Sequence, residues 1–271
     1  MGDKSTQGTI LMCPPTYFEI CYVINPWMVN QQVDPERAAV QWRELHTKLH
    51  RLNVAVELID PAPGLPDMTF AGDGGVAFRR RFVSSNFRHA ERQAEAKHYE
   101  SWFAQRGYEI YLLPDSVLFE GLGDVTLSGG YGITSYGQRT SEDAVPHLER
   151  IFPEVTWLAS LELVDPRFFH IGVALQLLDG QTGMYVPDAF SAAGRREIEA
   201  LPHRMIPVTD EDAAQMTVNA IVLQRDLVVN HCSPQVREQL QERGFNVHVV
   251  NVSEFLKSGG ATRCLVLPLD Y

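Results

Sequence analysis

Cysteine is scarce in this chain and never paired. Cys13, Cys21, Cys232 and Cys264 are the four, with no Cys-x-x-Cys and no histidine cluster at zinc-finger spacing. A structural metal is therefore not expected, and reduced thiols in a cytosol are the default. Long apolar runs are also missing: none approaches the roughly 20 residues of a membrane span. The polar stretch from Met1 to Thr9 has no signal-peptide pattern, so a cytoplasmic protein with no membrane partner is expected. Basic charge is in deficit, with 23 Lys and Arg against 34 Asp and Glu and a net charge of −11. Nucleic-acid binding needs basic surface and is not expected, whereas the acidity is compatible with a small cationic substrate. No linker or low-complexity segment divides the 271 residues, which points to a single domain over 1–271.

What the chain does contain is a repeat. Apolar strand pairs around a small turn recur at Asp67 to Ser85, Phe119 to Tyr136, Phe168 to Val186 and Met216 to Asn230, at a step of about 50 residues. Ile10 to Trp27, paired with Arg263 to Leu269, supplies a fifth unit and closes a ring through the two ends of the chain. Helices fit between the units. Pro35 to Leu52 carries Ala39, Trp42, Leu45 and Leu49 at helical spacing behind Asp34 as a cap. Ala90 to Arg106, Ser141 to Phe152, Asp210 to Gln215 and Pro234 to Gly244 continue the series. Short strands follow at Val54 to Ile59, Glu109 to Leu113, Thr156 to Leu158 and Asn246 to Val250. The order predicts an α/β ring of ββαβ modules with a site at its centre.

Four residues fall at matching places in the repeats: Asp73, Glu120, His170 and Cys264. In a ring such positions converge on the axis. A thiol, an imidazole and two carboxylates facing one another suit attack on an amidine-like carbon. A guanidinium presents paired N–H donors that fit carboxylates. Asp73 and Glu120 would hold it, Cys264 would attack as a thiolate, and His170 would protonate the departing amine and then activate water. An ordinary thiol titrates near 8.5 and needs activation, from a neighbouring imidazolium or from the cationic substrate itself. Taken singly, each has a structural reading. Asp73 and Asp124 sit in glycine turns, Glu120 follows an apolar run, His170 is a core histidine by context, and Cys264 is a small buried hydrophobe. A thiol, an imidazole and water suffice for the chemistry, so no cofactor is implied.

The set resembles the guanidine-modifying, or pentein, superfamily, in particular dimethylarginine dimethylaminohydrolases and the arginine deiminase and arginine dihydrolase-like members. The likeness is carried by Met12-Cys13-Pro14-Pro15-Thr16-Tyr17-Phe18 with Tyr22-Val23-Ile24-Asn25-Pro26-Trp27-Met28, then Pro66-Asp67-Met68-Thr69-Phe70, the Glu120 to Asp124 loop, His170, and the Gly-Gly-x-x-Arg-Cys ending. It implies a five-bladed, pseudo-symmetric α/β propeller, with Cys264 as nucleophile, His170 as acid and base, and Asp73 and Glu120 as guanidinium ligands. It also implies that Arg88 and Arg139 bind the substrate carboxylate. Asn25 is either a substrate contact or a turn before Pro26. Asn219 matches a family asparagine taken as structural.

Two departures bear on substrate. In the family that the chain resembles, arginine deiminases typically have His-x-Asp and dimethylarginine hydrolases lack that Asp; here Gly172 stands in its position, which implies room for N-methyl groups. The dihydrolase branch is associated with Asn where this chain has Asp73, and Asp fits one hydrolysis that stops at citrulline. The expected function is hydrolysis of an N-methylated arginine to citrulline and an alkylamine. The alternatives are arginine deiminase or dihydrolase, an amidinotransferase, and a non-catalytic guanidine-binding protein. The oligomeric state is not legible.

Overall fold

The computed structural model describes residues 7–269, so the first six residues of the polar opening stretch lie outside it. Five three-stranded sheets repeat one topology. In each, the middle strand pairs antiparallel with the strand before it and parallel with the strand after it. The first blade is Gly75–Phe78, Arg81–Ser84 and Glu109–Tyr111, and the second is Val125–Ser128, Tyr131–Tyr136 and Thr156–Glu162. The third is Leu175–Leu177, Thr182–Tyr185 and Arg204–Pro207, and the fourth is Ile221–Leu223, Asp226–Val229 and Asn246–Val249. The fifth joins Leu267–Pro268, Thr9–Met12 and Ala55–Leu58, so the ring is closed by both ends of the chain. Parallel strands need a long crossover, and one helical stretch fills it in every blade. The architecture is the α/β ring expected from the repeat.

The helices form where their sequences provide caps and an apolar stripe. Pro35–Arg51 starts with Pro at its first position and Asp34 accepting from the Arg37 N–H at 3.1 Å. It buries Ala38, Trp42, Leu45 and Leu49, the i, i+3, i+4 pattern of a core-facing helix. Pro234–Glu242 is capped by Ser233, whose hydroxyl accepts from Val236 N–H. The stretch expected as one helix over Ala90 to Arg106 is two, Ala90–Gln93 and Glu95–Gln105, broken at Ala94. Ser141 to Phe152 opens as a 3-10 turn, Glu142–Ala144, before the helix Val145–Ile151. The third blade holds a helix that the sequence reading missed, Ala192–Glu199, with its strand Arg204–Pro207. Its only buried side chain larger than glycine is Ile198, which leaves almost no periodic signal.

Inside the ring, first strands of neighbouring blades touch, and so do the 3-10 turns that precede them. Those turns, Ala71–Gly74, Gly121–Gly123 and Ile171–Val173, bring the chemistry-bearing residues to the axis. Gly121 makes the approach possible. Its φ of +57° is left-handed, and a Cβ there would lie 2.6 Å from the backbone nitrogen of Gly75. Outward from the axis the first blade is held by an aromatic stack, with the buried Phe82 ring 3.8 Å centroid to centroid from Phe103 and nearly parallel to it. Phe82→Ala is expected to cost about 3–5 kcal/mol, read as a lowered midpoint in urea unfolding with an unchanged m-value.

Candidate active site

Asp73, His170 and Cys264 share one buried pocket, lined also by Ile24, Asn25, Asp67, Phe70, Arg92, Arg139 and Phe169. The sequence placed the first three there. It did not find Arg92 or assign Asp67 a part, and Glu120 and Arg88 take different places from those expected.

Arg92 is the least anticipated member. A charged residue on a helix reads as a solvated one, yet this guanidinium is buried over the Phe87 ring. Its Nε and Nη2 donate to the two oxygens of Glu95 at 3.0 and 2.9 Å. Its Nη1 donates to Asp73 Oδ2 at 2.7 Å, and Nη2 also reaches the Asp67 carbonyl at 3.3 Å. Asp67 Oδ2 accepts from the Tyr22 hydroxyl at 2.8 Å. After these bonds two carboxylate oxygens remain, Asp67 Oδ1 and Asp73 Oδ1, buried with no hydrogen bond from the protein. Unpaired buried acceptors are costly. Both belong to pocket-lining residues, so together they define a place for a cation with N–H donors.

Glu120 is fully buried and stands behind His170 rather than on the pocket wall. Its Oε2 accepts from Arg139 Nη1 and lies 2.8 Å from His170 Nε2. Its Oε1 accepts the backbone N–H of Arg88 at 3.1 Å. Burial alone would raise the Glu120 carboxyl, but Arg139 and then His170 hold it well below the ordinary range. An ionised carboxylate only accepts, so His170 Nε2 carries a proton and Nδ1 is left for the pocket. Burial opposes a charged imidazole, and the charges of Asp124 and Asp73 with the Glu120 hydrogen bond outweigh it, raising His170 above its usual value. Asp124, read as a turn residue, accepts from Ser135 Oγ at 2.6 Å and from the N–H of Ile171 at 3.3 Å. It thereby ties the second blade's turn to the third's. The ring of His170 packs where Gly123 has no side chain, since a Cβ there would lie 2.9 Å from Cε1.

Only the backbone of Arg88 touches this cluster, and its side chain is exposed. The two pocket arginines are Arg92 and Arg139. Arg139 donates from Nη2 to the Ile24 carbonyl at 3.0 Å and lies over the Phe169 ring at 4.7 Å. Asn25 lines the pocket. One Nδ2 N–H donates to the Ser258 carbonyl and Oδ1 accepts from Trp27 N–H, so the turn before Pro26 and a pocket-facing position are both met in it. Gly172 does not open onto the pocket. A Cβ there would run into the Arg263 guanidinium, so the expected room for methyl groups at that position is already filled by a side chain.

Cys264 is 6% exposed, and Asn219 Nδ2 donates to its sulfur at 3.2 Å. Burial, and after it the charge of Asp73, push the thiol up to about 12. Glu95 is pushed up to about 7 by burial, against the pull of Arg92. Its folded value exceeds the roughly 4.5 of an unfolded carboxyl, so the folded chain binds the proton more tightly and stability falls as pH climbs between those values. Glu95→Gln is expected to flatten that fall, measured as unfolding free energy across pH 4.5 to 7.

A family model described as N,N dimethylarginine dimethylhydrolase, eukaryotic, matches residues 22–270. An N(G),N(G)-dimethylarginine dimethylaminohydrolase of Mycobacterium tuberculosis is 38% identical, over 95% of this chain and 84% of that protein. The bifunctional arginine dihydrolase/ornithine cyclodeaminase ArgZ of Synechocystis is 37% identical over 95% of this chain. The chain spans 37% of the length of ArgZ and of its Nostoc counterpart AgrE. The crystal structure of the N-terminal domain of ArgZ, as a Cys→Ser variant bound to substrate, matches with a TM-score of 0.92 at 36% identity, over 97% of this chain and 98% of that one. A dimethylarginine dimethylaminohydrolase adduct shares the fold at TM-score 0.77 and 18% identity, over 96% of this chain and 99% of that one. The chain belongs to the dimethylarginine dimethylaminohydrolase family of the pentein superfamily.

Proposed function

We propose that this protein hydrolyses the guanidinium of an N-methylated L-arginine, giving L-citrulline and an alkylamine through a covalent adduct on Cys264. The observation that carries the reading is the count of free acceptors. Among the described pocket residues, the carboxylate oxygens left without a protein donor are Asp67 Oδ1 and Asp73 Oδ1. Glu120 is committed to His170, Arg139 and the Arg88 N–H. Two free acceptors serve two N–H groups of the guanidinium, and the nitrogen that departs beside His170 Nδ1, itself 3.8 Å from Asp73 Oδ1, has no further carboxylate to donate to. A methylated nitrogen, with fewer N–H groups or none, suits that corner better than an NH₂. Phe70 and Phe169 line the same pocket and offer apolar surface to the methyls.

In this reading the guanidinium donates to Asp67 and Asp73, and its charge offsets the Asp73 charge that raises the thiol. Cys264 releases its proton to solvent, and the sulfur pair forms a C–S bond at the guanidinium carbon. His170 gives its Nδ1 proton to the departing nitrogen, the C–N bond breaks, and a thiouronium remains. Water then attacks, with neutral His170 taking its proton. The C–S bond breaks with its pair returning to sulfur, and the hydroxyl proton leaves as the citrulline carbonyl forms. Arg139, with donors left after Glu120 and Ile24, is the residue for the substrate carboxylate in place of the exposed Arg88.

A second reading, hydrolysis of arginine itself, is favoured by the 0.92 TM-score to the ArgZ domain. Mass spectrometry of products from arginine and asymmetric dimethylarginine in competition separates the two. Dimethylamine and citrulline with arginine untouched are expected. Ammonia with citrulline moves the protein to a deiminase, and ammonia with ornithine to a dihydrolase. Cys264→Ser is expected to lower turnover by at least about 10³-fold, and retained turnover would remove the mechanism. Glu120→Gln takes an anion from beside the imidazole, so His170 is expected to titrate lower, read from its ring-proton shifts by NMR.

A further inference from the structure

The first, second, third and fifth blades supply Asp73, Glu120, His170 and Cys264 to the axis, and the fourth supplies Asn219. Asn219 stands at the matching place, two residues before the first strand of its blade, Ile221–Leu223, as Asp73 stands two before Gly75–Phe78. It is fully buried. Its side chain is also the one that touches the sulfur. Nδ2 donates to Cys264 Sγ at 3.2 Å and to the Gly172 carbonyl at 2.7 Å. Oδ1 accepts from the N–H groups of Ala261, Arg263 and Cys264 at 3.1, 3.1 and 3.2 Å.

We infer that Asn219 is a catalytic residue, whose amide N–H stabilises the Cys264 thiolate as it forms and again when it is expelled from the adduct. The inference rests on the reading of Cys264 as nucleophile. A hydrogen bond to an anion is about twice as strong as one between neutral groups, so this contact strengthens when the thiol ionises. It weakens while the sulfur is bonded to carbon, and strengthens once more as the C–S bond breaks with its electron pair returning to sulfur. The donor is held for this purpose. The three backbone N–H groups on Oδ1 fix the rotation of the amide, and the Gly172 carbonyl, two residues beyond His170, fixes the other N–H. One planar group thereby sets the sulfur relative to the turn Ile171–Val173 that follows the imidazole. Asn219 does not line the pocket, so its loss should act on kcat and leave KM nearly alone.

The test uses the full chain as Asn219→Asp and Asn219→Ala. Asp keeps the acceptor for the three N–H groups, which hold it ionised, and replaces the donor with an oxygen. Thr262→Val serves as the comparison. Thr262 Oγ1 lies 2.7 and 2.9 Å from the Asn219 and Val228 carbonyls and has one proton to donate between them, so its loss loosens the same loop without removing the donor to sulfur. The readout is the rate of Cys264 alkylation by 2-chloroacetamidine against pH, followed by intact-protein mass spectrometry, with kcat and KM on the best substrate. Both Asn219 variants are expected to raise the pH midpoint of alkylation and to lower kcat by about 10- to 100-fold. Thr262→Val is expected to lower the melting temperature with no change in that midpoint. Midpoint and kcat unchanged in a folded Asn219→Asp would overturn the inference and return the residue to scaffold. So would equal midpoint shifts in Asn219→Ala and Thr262→Val, which decide the matter if Asn219→Asp does not fold. Absence of an adduct on Cys264 in the unaltered protein would instead remove the nucleophile, and the inference with it.

Discussion

The guanidinium of Arg92 is the charge around which the pocket is built. Asp67, Asp73 and Glu95 are all buried, and three carboxylates this close could not stay ionised without a cation among them. Arg92 satisfies both oxygens of Glu95 and one of Asp73. What it leaves, one oxygen on each aspartate, is half of a binding site. In the proposed reading the protein's own guanidinium presets the geometry that a second guanidinium completes, and burying the cluster carries a cost in stability that Glu95 registers through its raised titration.

On the far side of His170, Glu120 performs the opposite service. Arg139 and the imidazole keep it ionised, and in return it fixes which imidazole nitrogen faces the pocket. Two carboxylates of the same chain, Glu95 and Glu120, are both completely buried, but burial outweighs Arg92 at Glu95 and raises it, whereas Arg139 and His170 outweigh burial at Glu120 and lower it. Arg139 then couples the imidazole to the segment over the pocket through the Ile24 carbonyl. Charge, tautomer and cover are linked through a few side chains.

The ring was legible because five apolar strand pairs recur at nearly constant spacing, and repetition is visible without knowing any contact. That Cys264, His170 and Asp73 share one pocket followed from the same spacing. Helix Ala192–Glu199 was not legible, since Gly194, Arg195 and Arg196 leave Ile198 as its only large buried side chain. Arg92 was hidden for a different reason. Its burial depends on partners at Asp67, Asp73 and Phe87, and a sequence shows a helical arginine as solvated until those partners are known. Gly172 was misread on the same ground. What occupies the space beside a glycine is decided by another segment, here Arg263, and the sequence at position 172 carries no trace of it. Asn219 was within reach: it falls 49 residues after His170 and 45 before Cys264, at the step already established by the other four.

The closing blade has a consequence for synthesis. Ile10 and Leu11 pair with Pro268 and Leu267, so the strand Thr9–Met12 waits for residues far later in the chain before that edge is covered. Contacts this distant in sequence form late, and an unpaired edge is exposed to aggregation meanwhile. The waiting also bears on Cys264. The finished ring encloses it with Asp73, Asn219 and His170, so the proposed site exists only once that strand has closed.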